Sequence, residues 1–552
     1  MSIDNFNNKK YPMFAMCSLY PRDERMMCAC FLGKDHNTVE IMSKLHADGL
    51  FWAGLGSGVI SLSILEDELY GQRVWDKNGR CDVDYVKDCA ENGIRVFGVV
   101  FTGQAYEVGI EINREKTKCL SFGKFEGKGK KTWWGLQEFY DNKYPKIFKG
   151  WNSYFQKKFV DENGKEIKDL IKEITSIDLQ GRLLKSFWVN EPSKYFDMIV
   201  YNPCNNSPYW REYMKKIIEM QIEAGIRGIL FDENFDASYA YGGCFCKHCM
   251  KKFTNFLIKV HGRKFEDFNY AHFLKNRGHG LISSLKYFYN EPYWKEFRLF
   301  HLNSLIESFS EYVQYVKQLG KEKNENILTA GNFSLIWPVF FPLVDLVDVF
   351  NLEFENEIPP KNNIRFLYQL GRALIGNKPL SAVSSIIIAA SLRKQEKKRP
   401  GSTGDIMKFF IAEAAASQGN YEIPYSCFTL SGSGAYYPPL EPVYQYQDFL
   451  FNHQECFDYS TLKPFSNINL ICSWPSYFWT FNFITIYGSH LLSLNGISNL
   501  LDDLYISHAI AIFGDGKYVP YYINQPFNKD YLIFPHVKCL SEKNIEDIKK
   551  FV

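Results

Sequence analysis

The chain has 552 residues, 46% apolar and 23% charged, with a net charge of +2 at neutral pH. That length exceeds a usual single domain and predicts two or more. The near-balanced charge gives no reason to expect nucleic acid or an anionic membrane as partner. No run approaches ~18 apolar residues, so no membrane-spanning helix is expected. The polar start, Met1 to Met13, has no apolar core and does not read as a signal peptide. Fourteen cysteines without a secretory signal predict reduced thiols and a cytoplasmic protein. Most of them, such as Cys17, Cys89 and Cys472, read as small buried hydrophobes. Cys28-Ala29-Cys30 is a weak candidate for metal.

In chain order, short apolar runs alternate with amphipathic stretches. Candidate strands start near Phe14, Gly49, Val96, Gly228, Ile327, Val347, Leu380 and Tyr421. Before the fourth, Trp210, Met214, Ile217, Ile218, Gln221 and Ile222 recur at helical period. Gly93 and Gly225 suit the left-handed position at helix ends. Eight such units predict an α/β fold, a (β/α)8 TIM barrel over residues 1–460. A doubly wound open sheet is the alternative. Gly54-Leu55-Gly56-Ser57-Gly58 lacks the Lys and helix context of a phosphate loop. Residues 103–200, with Trp133, Trp134, Trp151 and Trp188, read as a decorated loop over the barrel mouth. Residues 250–320 read as mostly helical.

The pattern restarts after Lys463-Pro464. Strands are expected at Ile468 to Cys472, Ala509 to Phe513 and Tyr531 to Pro535, with a helical region around Ser489 to Leu494. Ser541 reads as the cap of a last helix that turns Ile545 and Ile548 inward. This predicts a flavodoxin-like α/β domain over 465–552. Three βα units are few for such a sheet, so a partial domain is expected.

The densest chemistry lies between Cys204 and Asp236. Cys244, Cys246 and Cys249 form C-x-C-x-x-C, and Cys204 can close the set. Four thiolates suit tetrahedral zinc and leave no position for water, so the predicted cofactor is structural zinc. His248 competes for one ligand position, and the plain alternative is a loop of free thiols. Glu233 ends the fourth strand, where barrel enzymes keep their catalytic groups. Glycosidic hydrolysis needs a protonated carboxyl and a second carboxylate across the sugar. Glu233 is the candidate acid, Asp232 its rival, and Asp236 a candidate substrate ligand. The plain reading is that Asp232 or Glu233 caps a helix or holds the nearby loop. Glu353 and Glu355, after the sixth strand, alternate onto one side and are candidates for the second carboxylate. Asn332 reads as a sugar hydrogen-bond donor. Trp337 reads as a stacking platform or as simple packing.

With these residues the chain resembles glycoside hydrolase family 42, the β-galactosidases with a zinc cluster. The likeness runs through Asn202-Pro203-Cys204-Asn205-Asn206-Ser207-Pro208-Tyr209-Trp210-Arg211, then Asp232-Glu233, then Cys244, Cys246, Cys249 and Phe253. It continues at Asn332-Phe333 and, in the C-terminal part, at Tyr531 to Pro535 and Leu540-Ser541. The resemblance implies that Glu233 is the acid/base, and that the C-terminal part is a trimerisation domain of a homotrimer. Asp232 stands where the family has an Asn that would bind the sugar 2-hydroxyl. Ser384-Ser385 stands where the family has its nucleophilic Glu, on the seventh strand. The expected function is therefore hydrolysis of a glycoside, galactoside-like by resemblance, with a carbohydrate as partner. A non-catalytic carbohydrate-binding protein on the same scaffold is the alternative.

Overall fold

The computed structural model describes residues 13–19, 38–54, 57–70, 81–112, 118–121, 130–186, 198–234, 242–279, 291–335, 337–354, 364–384, 387–426, 440–458, 465–481 and 489–552. Cys28, Cys30, Trp188, Asp236, Glu355 and Ser385 lie outside them. Among the described residues no helix is long and apolar enough to cross a membrane.

The main sheet takes in every strand read from the apolar runs. Its members are β1 (Phe14–Leu19), β2 (Gly49–Gly54), β3 (Arg95–Phe101), β4 (Gly228–Asp232), β5 (Leu328–Asn332), β6 (Val349–Phe354) and β7 (Leu380–Ser384). Each pairs in parallel with the next. Two short strands follow, β8 (Asn420–Tyr421) and β9 (Ile423–Ser426). β8 pairs in parallel with β7, and β9 in parallel with β1. The sheet is a curled parallel one. Such strands are covered on both faces, which explains their continuous apolar runs; every residue of β3 is buried. The rings of Phe14, Phe51 and Phe97 pack together, with centroids 5.3 Å apart for Phe14 and Phe51 and 4.8 Å for Phe51 and Phe97. Glycine makes the room: a Cβ on Gly49 would lie 2.7 Å from the Phe14 ring, and one on Gly228 2.4 Å from Phe97.

Helices fill the connections. The main ones are α1 (Pro208–Glu223), α2 (Lys247–His261), α3 (Trp294–Lys323), α4 (Arg365–Ile375) and α5 (Ser402–Ala416). In α1 the periodic residues Trp210, Met214, Ile217, Ile218, Gln221 and Ile222 are all buried. Gly93 and Gly225 both have positive φ, as their positions after helices require. Residues 250–320 are mostly helical where described, through α2, Tyr270–Asn276 and α3.

The first insertion is more ordered than a decorated loop. Its strands Ala105–Ile112, Lys118–Ser121, Lys130–Gly135 and Met198–Tyr201 form an antiparallel sheet. Strand alternation explains the neighbouring tryptophans: Trp134 is fully buried while Trp133 is 40% exposed. Trp151 stacks on Phe155 at 3.9 Å and reaches Tyr213 of α1 at 6.3 Å. The aromatic residues thus give this insertion a core continuous with the main sheet's helices.

A second sheet follows, built from β10 (Ile468–Ser473), β11 (Ala509–Phe513), β12 (Tyr522–Ile523) and β13 (Tyr531–Ile533). β10 lies between β11 and β13 and is parallel to both, and β12 adds antiparallel to β11. Helices α6 (Ser489–Asp503) and α7 (Glu542–Phe551) accompany it. Ser541 and Asn544 cap α7 reciprocally, each side chain accepting from the other's N–H at 3.1 Å. Ile548 packs on the sheet as expected. Ile545 does not: it is 42% exposed, because α7 turns only a narrow apolar stripe inward. This sheet is tied to the main body by polar links at apolar contacts. Trp474 Nε1 donates to the Pro338 carbonyl at 2.8 Å, and the Arg298 guanidinium lies 4.7 Å from the centre of the Phe478 ring.

Candidate active site and candidate metal centre

β4 ends in Phe231-Asp232, and the chain then turns sharply. Glu233 has φ of +52°, a left-handed conformation that costs a non-glycine residue about 1–2 kcal/mol. Surrounding bonds hold it there. The Glu233 N–H donates to Asp232 Oδ1 at 2.7 Å. Buried Asn234 donates back to the Phe231 carbonyl at 3.1 Å and accepts from Thr102 Oγ1 at 2.6 Å. Trp210 of α1 donates to the Thr102 carbonyl at 2.7 Å. The strain is therefore paired with a dense local network, as at many functional sites.

The next two strands complete an acidic cluster. Asn332 ends β5, and its Nδ2 donates both to Asp232 Oδ1 and to Glu353 Oε2, each at 2.8 Å. Glu353 stands on β6, two residues beyond Asn351, which pairs with Asn332 in the ladder. Burial pushes the Glu233 carboxyl well above the usual carboxylate range, and the charges of Asp232 and Glu353 push it further. The nearby Gln104 side-chain amide works the other way. Asp232 is also pushed up by burial, against the bonds from Asn332 and the Glu233 N–H. The geometry thus holds a proton on one carboxyl beside others that an amide favours as anions. That division is the prerequisite for acid-assisted bond cleavage.

Asp232, Glu233, Asn332 and Glu353 are brought together. Trp337 instead begins a 3-10 helix (Pro338–Leu346), and its half-buried ring packs 5.5 Å from Phe481. Sequence reading missed one member. Glu422, between β8 and β9, is 2% exposed. Its Oε1 accepts from Ser381 Oγ at 2.5 Å and from Asn351 Nδ2. Burial first, then Glu353 and Asp232, push its carboxyl up to about 8. Its only signal in the sequence is an acid inside an apolar strand run, Tyr421-Glu422-Ile423.

The four cysteines converge as their spacing implies. Cys204, Cys244, Cys246 and Cys249 are all buried, with their sulfurs within 4.8 Å of one another. Cys204 Sγ lies 3.5 Å from Cys246 Sγ and 3.3 Å from Cys249 Sγ. Sulfurs placed about 2.3 Å from a central ion form a tetrahedron with edges of about 3.8 Å, so the set fits a metal ion. Backbone and amide donors already face the sulfurs: the Asn206 N–H meets Cys204 at 3.3 Å, Asn206 Nδ2 meets Cys249 at 3.4 Å, and the Cys249 N–H meets Cys246 at 3.4 Å. Such donors stabilise thiolate ligands. Arg211 anchors the loop by donating to the Asn205 carbonyl at 2.8 Å while bonding Glu307 and Glu311 of α3. His248 lies outside the set, its Nε2 3.6 Å from Glu173. Four buried thiols in contact replace the reading of loose thiols in a loop.

No family model matches the chain, and no curated protein matches it. Its fold is similar to those of solved β-galactosidases. The enzyme from Bacillus circulans sp. alkalophilus is 13% identical, with 98% of this chain and 70% of that chain covered, at a TM-score of 0.54. A catalytic mutant of a GH42 β-galactosidase from G. stearothermophilus is 13% identical over 99% of this chain and 72% of that one, at 0.53. The β-galactosidase of the psychrophilic Marinomonas ef1 is 9% identical over 93% and 71%, at 0.52. The chain therefore has a glycosidase-like fold.

Asn332→Ala removes the shared donor and leaves two carboxylates short of a hydrogen bond. The variant should lose about 1–3 kcal/mol at neutral pH. The bond lowers a raised Asp232 pKa. Its loss raises that pKa further, so the deficit should grow as pH rises above the ordinary Asp range. Urea unfolding at several pH values checks this; a pH-independent deficit would contradict the bridge.

Proposed function

We propose that the protein is a glycoside hydrolase on a (β/α)8 barrel, with residues 1–460 as the catalytic body and 465–552 as a partial flavodoxin-like domain. The unbroken parallel pairing from β1 to β8, with β9 returning to β1, supports the barrel reading. The observation that carries the function is Glu233: a carboxyl at the C-terminal end of the fourth parallel strand, held protonated by burial and by two neighbouring acids. It donates its proton to the glycosidic oxygen as the bond to the sugar carbon breaks. Glu353, held by Asn332, faces the oxocarbenium-like centre as the second carboxylate. Glu355 is the alternate candidate from the sequence. Asp232 and Asn332 bind sugar hydroxyls, and Asp236 is a further candidate substrate ligand from the sequence. A galactoside-like carbohydrate is the substrate suggested by the resemblance and by the fold. The four cysteines hold structural zinc, away from the reaction. The protein is cytoplasmic, and a homotrimer follows from the resemblance alone.

One observation favours a second reading. β7 ends at Ser384, where the resembled family carries its nucleophile. A carbohydrate-binding protein that does no chemistry would keep the same scaffold. Glu233→Gln separates the two. On aryl glycosides and unactivated galactosides it should cut turnover by about 10²–10⁴-fold, with sugar binding by calorimetry little changed. Unchanged turnover would remove Glu233 from the mechanism, and sugar binding without turnover in the wild type would favour the binding protein.

Cys246→Ser should lose the zinc measured by elemental analysis and melt at lower temperature. Wild-type protein that carries no zinc and keeps its full stability would contradict the metal assignment.

A further inference from the structure

Glu422 sits at the one break in the eighth strand position. The residues before it, Asn420 and Tyr421, pair with β7, and Ile423 after it pairs with β1. Both donors that reach it, from Ser381 on β7 and Asn351 on β6, converge on Oε1. Oε2 is enclosed and has no hydrogen-bond partner, donor or acceptor, among the described residues. Among the described residues, the charged groups named as acting on it are Glu353 of β6 and Asp232 of β4, both acidic. Asn351 and Glu353 are two residues apart on one strand, so they share a side. A carboxyl bonded to the first therefore lies one layer beneath the second.

Several acids packed this closely cannot all ionise; like charges out of water leave the proton on the group with least solvent and no counter-ion. Oε1 already receives two donated hydrogens, so the proton belongs on Oε2. We infer that Glu422 is a positioning residue that holds the proton of this buried layer and so lets Glu353 above it stand as the anion. The inference rests on the reading of Glu353 as the second carboxylate. It adds a regulation of that site: when Glu422 ionises at alkaline pH, a new negative charge beneath Glu353 and Asp232 alters their proton affinity. The upward push to about 8 agrees with this assignment.

The test is an infrared pH titration of the protonated-carboxyl C=O band in the full chain. The wild type should keep such a band above neutral pH, and Glu422→Gln should lose it. Glu233→Gln identifies the separate contribution of the catalytic acid. Two further variants read the coupling in opposite directions. Glu353→Gln removes a neighbouring charge and should shift the Glu422 transition to lower pH. Ser381→Ala removes a donor to the charged form and should shift it to higher pH. If Glu422→Gln does not fold, these two shifts still decide the matter. A band set unchanged in Glu422→Gln, or a transition unmoved in both other variants, overturns the proposal. No turnover enters the titration. A protein with the predicted band that hydrolyses nothing would keep a proton-holding Glu422 and fail only as a hydrolase.

Discussion

One primary amide serves two carboxylates, and the character of the site follows from that arrangement. Asn332 Nδ2 has two hydrogens, and they go to Asp232 and Glu353. The bond partly offsets the upward push that burial gives Asp232. Neither hydrogen reaches Glu233 or Glu422, and both of these are pushed up by burial and by the anions beside them. The amide thereby distinguishes the two acids it reaches from the two it does not. Holding Glu422 ionised would cost on the order of 5 kcal/mol, taking its shift from 4.5 to about 8. The sign follows from the raised value: this group favours the folded state at low pH, and its contribution is lost as pH rises toward 8.

The scaffold exists to keep these groups in register. Asn332, Glu353 and Glu422 come from three different strand positions, so a one-residue slip would turn each side chain to the other face. Parallel pairing covered on both sides prevents the slip by burying long apolar runs. Outside the sheet, the cysteine cluster joins the loop after Tyr201 to the start of α2 and, through Asn206 and Ser304, to α3. Arg211 holds the same loop from α1.

What could be read from the residues were features with a local period or spacing. All eight strand positions appear as apolar runs, α1 appears as a 3.6-residue stripe, and C-x-C-x-x-C brings its thiols together within one turn of chain. Glu233 was legible because it follows a buried strand. Glu422 was not, because its meaning lies in partners 41 and 71 residues away. A lone acid in an apolar run carries no sign of which strand will face it. The insertion sheet was missed for a related reason: its strands are antiparallel partners separated in sequence by Lys- and Gly-rich segments, and that composition pointed to a decorated loop. The exposure of Ile545 shows the same limit at smaller scale, since helical period fixes a stripe but not its width.

The most direct measurement is the pH dependence of kcat/KM for aryl glycosides, galactosides first. Activity should need Glu353 ionised and Glu233 protonated. The predicted profile has an alkaline limb that lies well above the usual carboxylate range. A profile with no alkaline limb, or no turnover across the glycosides at any pH, would contradict the assignment of Glu233 as the proton donor.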